Sequence, residues 1–284
     1  MAVEYDKLMA LEGEEKEFSY TDRETMLYAV GIGMGCDPMN RDELPFVFEK
    51  DLTPVPTRAT GLAWDETLMM ASGLNLVMVV HGEQRITLHR PLPSAATILV
   101  KQRVVDAFDK GEGRGALVLV ETAIREKASG EPLCTNLSTV FARGDGGFGG
   151  PAGSGPAPHR LPDRDPDAVC ELKTTPNQAL IYRLCGDRNP LHADPDFADA
   201  AGFPRPLLHG LCTYGSACRA ILKSMCDYKA ESIRGFEARF TAPVFPGEMI
   251  RTEMWRDGNE ISFRSHIPER DVVALNNGKA TLVA

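Results

Sequence analysis

A diverged internal repeat is the strongest constraint on this chain, because two copies of one pattern must fold as two copies of one unit. Residues 20–30 (YTDRETMLYAV) and 174–184 (TTPNQALIYRL) align without a gap. Thr21 meets Thr175, Glu24 meets Gln178, Tyr28 meets Tyr182 and Val30 meets Leu184. In each copy a threonine followed three residues later by Glu or Gln predicts an N-cap that opens a helix. At nearly the same offset Pro91-Leu92-Pro93-Ser94 resembles Pro243-Val244-Phe245-Pro246. A strand-like run follows each, Thr97 to Val105 and Met249 to Trp255. Several matches at a nearly constant offset favour duplication over chance.

The elements of each copy can be read from periodicity. Across residues 209–227, Leu211, Tyr214, Cys218, Ile221, Leu222 and Met225 recur at helical spacing. Strand-like runs follow at Arg234 to Thr241, Met249 to Arg256, Glu260 to Ile267 and Val272 to Ala280. The first half offers Arg85 to His89, Thr97 to Ala107, Gly115 to Lys127 and Leu133 to Arg143. One long helix against a meandering antiparallel sheet, made twice, is an α+β architecture. Between the copies lies RGDGGFGGPAGSGPAPHRLPDRDP, where glycine adds freedom and proline blocks regular ladders. The predicted organisation is therefore 1–142, a linker at 143–166, and 167–284. A length of 284 residues suits two units of about 100–200 residues each.

Composition removes several classes of function. With 31 Lys+Arg against 40 Asp+Glu the formal charge is −9, so the chain lacks the field that draws nucleic acid or anionic membrane. The longest apolar candidate, Leu68 to Val80, is interrupted by Ser72, Gly73 and Asn75 and falls short of a membrane span. Residues 1–18 are acidic and do not resemble a secretory signal, and Leu282-Val283-Ala284 is not a peroxisomal tripeptide. Seven cysteines without a CxxC pair suit a reducing compartment. The expected location is cytoplasmic for a bacterial chain, and peroxisomal only as part of a larger eukaryotic enzyme. Gly31-Ile32-Gly33-Met34-Gly35 and the run from Gly144 to Gly155 lack the strand–turn–helix context of a nucleotide loop.

The segment from Tyr182 to His192 (YRLCGDRNPLH), continuing to Leu208-His209-Gly210, carries the chemistry. Asp187, Asn189 and His192 stand at i, i+2 and i+5, and Gly186 and Pro190 turn the backbone between them. A turn can bring Asp187 and His192 together, whereas that spacing on a helix separates them. A paired carboxylate and imidazole form a general acid–base couple useful near neutral pH. Asn189 can orient a water or a substrate group. The alternative is that Asp187 and Asn189 only satisfy turn amides. Gly210 shifts the balance. It opens the long helix, where an unpaired N–H at the positive dipole end suits a developing oxyanion.

These residues closely resemble the signature of the R-specific (type 2) enoyl-CoA hydratases of the MaoC-like group, which includes the hydratase unit of peroxisomal multifunctional enzyme type 2 and stand-alone bacterial relatives. The resemblance spans both halves, since His81-Gly82-Glu83-Gln84 also looks like a family feature. It implies a double hot-dog fold, with Asp187 and His192 as the catalytic pair, Asn189 as their companion and Gly210 as the oxyanion donor. It implies reversible hydration of trans-2-enoyl-CoA to (3R)-3-hydroxyacyl-CoA, no cofactor or metal, and a homodimer. Cys185 departs from the Ser or Thr common in relatives. Gly33 falls where Asp187 falls, so the first half is expected to be inactive, and by family analogy to have lost helix and opened a broad acyl tunnel instead.

Other positions are weaker candidates. His81, Gly82, Glu83 and His209 could contact substrate, with Glu83-Gln84-Arg85 equally readable as a strand-end cluster. Lys110 with Arg114, Arg205, and Arg234 with Arg239 could meet the phosphates of CoA. His89 and His266 read as structural, His159 as solvated, and Asp194-Pro195-Asp196 as a turn starting a short helix rather than metal ligands. Rival functions are 3-hydroxyacyl-ACP dehydratase, acyl-CoA thioesterase and a non-catalytic acyl-binding module.

Overall fold

Alternating burial along ten strands joins both copies into one antiparallel sheet. The computed structural model describes residues 3–153 and 155–283; Ser154 of the predicted linker lies outside them, as do Met1, Ala2 and Ala284. The first half contains α1 (Tyr5–Met9), β1 (Lys16–Tyr20), α2 (Asp22–Gly31), α3 (Leu44–Val47), α4 (Thr67–Ala71), β2 (Val79–Leu88), β3 (Ala96–Asp109), β4 (Ala116–Glu126) and β5 (Pro132–Ala142). The second contains β6 (Ala168–Lys173), α5 (Gln178–Tyr182), α6 (Pro195–Ala200), α7 (Gly210–Met225), β7 (Ile233–Phe240), β8 (Met249–Asp257), β9 (Glu260–Ile267) and β10 (Val272–Leu282).

The strand order is β1-β3-β4-β5-β2-β7-β10-β9-β8-β6. Read outward from the centre, each half runs in the same order, so the repeat in sequence becomes a two-fold relation in the sheet. The copies meet where β2 pairs antiparallel with β7. There Glu83 lies opposite Arg239, and its carboxylate accepts from Arg239 Nε at 3.1 Å and Arg85 Nε at 2.5 Å.

The long helix exists once. α7 buries Leu211 to Cys218 and Ala220 to Leu222 against the second half of the sheet. Each fully buried Leu or Ile there contributes about 1.5–3 kcal/mol of transfer free energy. In the first half the corresponding stretch is a 3-10 turn at Pro56–Gly61 followed by the short α4. The expectation of one long helix in each copy is therefore corrected. Residues 56–71 (PTRATGLAWDETLMMA) carry Gly61 and three β-branched threonines, and they lack a sustained apolar stripe.

The predicted N-caps divide in the same way. Thr21 caps α2 in a full capping box with Glu24. In the second copy Gln178 Oε1 accepts from Thr175 N–H at 2.9 Å, but Pro176 intervenes, and α5 begins after Asn177. The Gly/Pro stretch is irregular yet attached: Asp109 accepts from the N–H groups of Gly147 and Gly149, each at 2.8 Å. His159 within it is not solvated, since its Nε2 lies 2.8 Å from Ser262 Oγ. No helix among the described residues is long and apolar enough to cross a membrane.

Candidate active site

The catalytic-type residues sit on a loop that α5 delivers to the N-terminus of α7. After a 3-10 turn at Arg183–Cys185, Gly186 adopts φ +135°. A side chain there would be strained, and its Cβ would meet Trp64 Cβ at 3.0 Å. Asp187 Oδ1 then accepts from Asn189 N–H at 3.0 Å, and Asn189 Oδ1 accepts from Leu191 N–H at 3.0 Å, capping the turn Pro190–His192. One oxygen of each side chain thus satisfies the backbone, as the plainer sequence reading held. The other ends, Asp187 Oδ2 and Asn189 Nδ2, make no hydrogen bond among the described residues. The turn-capping reading therefore describes one end of each side chain and leaves the other end free.

Asp187 Oδ2 lies 3.9 Å from His192 Nε2, and both side chains are mostly buried. That gap exceeds a direct hydrogen bond and admits a bridging water. His192 Nδ1 donates to the Leu207 carbonyl at 3.0 Å, which leaves Nε2 as the lone-pair nitrogen of the neutral ring. Burial pushes the His192 pKa down, and Asp187 opposes that shift. The imidazole is therefore neutral at neutral pH, with its basic nitrogen facing the carboxylate.

His209 forms the back wall. Its ring stacks on His192 with centroids 3.7 Å apart and planes 26° apart, and Tyr182 lies at 5.0 Å from it. Its Nε2 donates to the Asp187 carbonyl at 3.2 Å, while its Nδ1 is buried without a partner. Burial first, and His192 second, push its pKa down to about 3. His209 is also the N-cap residue of α7, but its side chain makes no capping bond. Gly210 follows, exposed, and among the described residues its N–H has no partner. A Cβ at Gly210 would approach the Phe240 ring at 3.2 Å, so a larger residue there has to displace that ring.

Asp187, His192 and His209 offer ligand-type atoms within 4.8 Å of one another. The two imidazoles lie face to face, so their in-plane lone pairs do not converge on one ion.

The remaining candidates divide by position. His81 comes near the cluster from the first half: its ring lies 4.7 Å from Phe240, and burial pushes its pKa down to about 4. Gly82 forms a bulge between β2 and β5, where a Cβ would meet the Thr139 carbonyl oxygen at 3.2 Å. Glu83 and Arg239 are occupied with each other at the sheet junction rather than turned to the site. Arg205 stacks over Phe245 at 5.0 Å in the segment that leads into Leu207. Lys110 lies over Phe141 at 5.8 Å, and Arg114 folds back on Gly111, both at the β3–β4 hairpin tip. Arg234 lines a small cavity with Thr53 and Leu92. The Leu207 carbonyl and Phe240 were not singled out from sequence. The first acts through its backbone, and the second reaches the site from a strand remote in sequence.

Comparison with known proteins places this arrangement. Residues 158–277 match the MaoC like domain, and residues 18–144 match the MFE-2 hydratase 2 N-terminal domain. Peroxisomal enoyl-CoA hydratase 2 of Arabidopsis thaliana is 41% identical, over 95% of this chain and 93% of its own length. The chain belongs to the MaoC-like hydratase 2 family. The 3-hydroxyacyl-thioester dehydratase Y of Mycobacterium tuberculosis is likewise 41% identical, over 100% of both chains. The crystal structure of a MaoC-like dehydratase from Phytophthora capsici superimposes with a TM-score of 0.87 at 32% identity, covering 99% of this chain and 98% of that one. The fold of this MaoC-like chain is accordingly the double hot-dog, and the chain is an enzyme of the lyase class. The family's two domain matches fall on the two sequence repeats.

Proposed function

We propose that this MaoC-like enzyme reversibly hydrates trans-2-enoyl-CoA to (3R)-3-hydroxyacyl-CoA. The observation that carries the reading is the 3.9 Å gap between Asp187 Oδ2 and His192 Nε2, set beside the free N–H of Gly210. The thioester carbonyl accepts from Gly210 N–H at the positive end of α7, and one such donor is worth ~3 kcal/mol of barrier. A water held between Oδ2 and Nε2 attacks the β-carbon. Nε2 takes the proton as the C–O bond forms, and electron density moves to the thioester oxygen. The imidazolium, stabilised by Asp187, returns that proton to the α-carbon. Oxygen and hydrogen of one water end on adjacent carbons, and no other reactant is needed. The acyl chain is placed against the first half, where the long helix is missing, and the working unit is a homodimer as the resemblance implies.

Loss of the conjugated enoyl-thioester absorbance on adding enzyme to crotonyl-CoA tests the reaction, and chiral analysis of the product tests its face. Release of free thiol without a hydroxyacyl product would instead make the chain a thioesterase.

A further inference from the structure

His209 stands where three parts of the site meet. Its Nε2–H holds the Asp187 carbonyl at 3.2 Å, and its ring covers one face of His192 at 3.7 Å. Its backbone carbonyl accepts the first bonds of α7, from Cys212 N–H at 3.0 Å and Thr213 N–H at 3.1 Å. At this N-cap position Ser, Thr, Asp or Asn would ordinarily fold back onto the first-turn amides. His209 makes no such bond, and its side chain is turned to the Asp187 carbonyl instead. We propose that His209 is a positioning residue that registers the acid–base pair against the oxyanion donor. This rests on the hydratase reading above.

The geometry separates two contributions. The Nε2–H donor fixes the backbone of Asp187, and so the distance from Oδ2 to His192. The ring face excludes water from His192. The groups facing the two stacked imidazoles are Asp187, Tyr182, the Leu207 carbonyl and the charge of Arg183; Asp187 first and the Leu207 carbonyl second oppose the loss of the His192 proton, while Arg183 favours it. With its own pKa pushed far down, His209 brings no competing charge to this stack.

Two substitutions distinguish these contributions. His209→Phe keeps the ring face and loses the donor. His209→Gln keeps a donor and loses the face. In His209→Phe, kcat on crotonyl-CoA is expected to fall by about tenfold or more with little change in KM, while His192 titrates as in the wild type. In His209→Gln, water reaches His192, its pKa moves up toward the ordinary value of about 6.5, and the acid limb of kcat moves with it. The pKa of His192 is read by NMR of histidine-labelled protein, assigned with His192→Asn, and folding is followed by thermal melting. Wild-type kcat in either folded variant overturns the proposal. So does an unchanged His192 titration in His209→Gln, or an activity loss that only tracks the unfolded fraction. If the wild type turns over no enoyl-CoA, the hydratase reading fails, and the titrations still report whether His209 sets the state of His192.

Discussion

The two halves place the same backbone features around opposite chemistry. In the second, an extended residue, His209, leads into Gly210 and a long helix with a free N–H. In the first, Val55 has nearly the same backbone angles but leads into Pro56, which has no N–H to offer. Where the second half has Asp187, the aligned Gly33 has φ +89°, and a Cβ there would meet Arg219 Nη1 at 3.0 Å. That arginine comes from α7 and forms a buried pair with Glu43, Nε to Oε1 at 2.6 Å. Glu43 also accepts from Gly35 N–H at 2.9 Å. The first-half site is not merely missing residues: a buried ion pair fills it. At the position equivalent to Asp187 the first half thus has a structural joint between the halves.

The comparison can be broken most directly at the residues that differ. Asp187→Ala and His192→Ala are each expected to lower kcat by about 10²–10⁴-fold with the fold intact, measured on crotonyl-CoA. Wild-type turnover in either would remove the distinction between the halves. Gly210→Pro copies the first half into the second. Proline is tolerated at the first helical position after the extended His209 but must displace the Phe240 ring, so the folded fraction is read by thermal melting, and kcat per folded molecule is expected to fall by about 10²–10³-fold through the lost donor. Retained activity would mean that another group holds the thioester oxygen.

The joint in the first half makes the converse prediction. Glu43→Ala leaves Arg219 buried without its partner and should lower stability by about 3–5 kcal/mol in denaturant melts, while the folded fraction keeps its kcat. The smallest effect comes with pH. His81, His192 and His209 all have pKa values pushed below the ordinary histidine value by burial. The unfolded chain therefore binds more protons on acidification, so stability is full above about pH 6.5 and falls below it. Each of the three contributes at most about 1.4 kcal/mol per pH unit. His81→Phe should flatten the dependence by the first half's share, and Tm measured from pH 7 to 5 reads this.

Much of the site was legible because it is local. The turn residues Gly186 and Pro190 pack Asp187, Asn189 and His192 into one loop, and turn chemistry follows from residue type over a few positions. The strands were legible from their alternation, and the repeat announced two related units before any contact was known. The repeat argued for a long helix in each copy and the family resemblance for its loss from the first; Gly61 and the lack of an apolar stripe are the local reason the second expectation describes the structure. His159 was misjudged because a Gly/Pro context says nothing about which strand the segment lies across.

By itself the sequence determined the repeat, the α+β class and the composition of the candidate loop, since each depends on residue order over short spans. Only the tertiary structure decided that the two copies share one sheet through Glu83 and Arg239. It alone brought Leu207, His209 and Phe240 around the pair, and it set Arg219 of one copy beside Gly33 of the other. Those relations depend on which faces meet when two amphipathic units bury their surfaces together, and no local pattern encodes that.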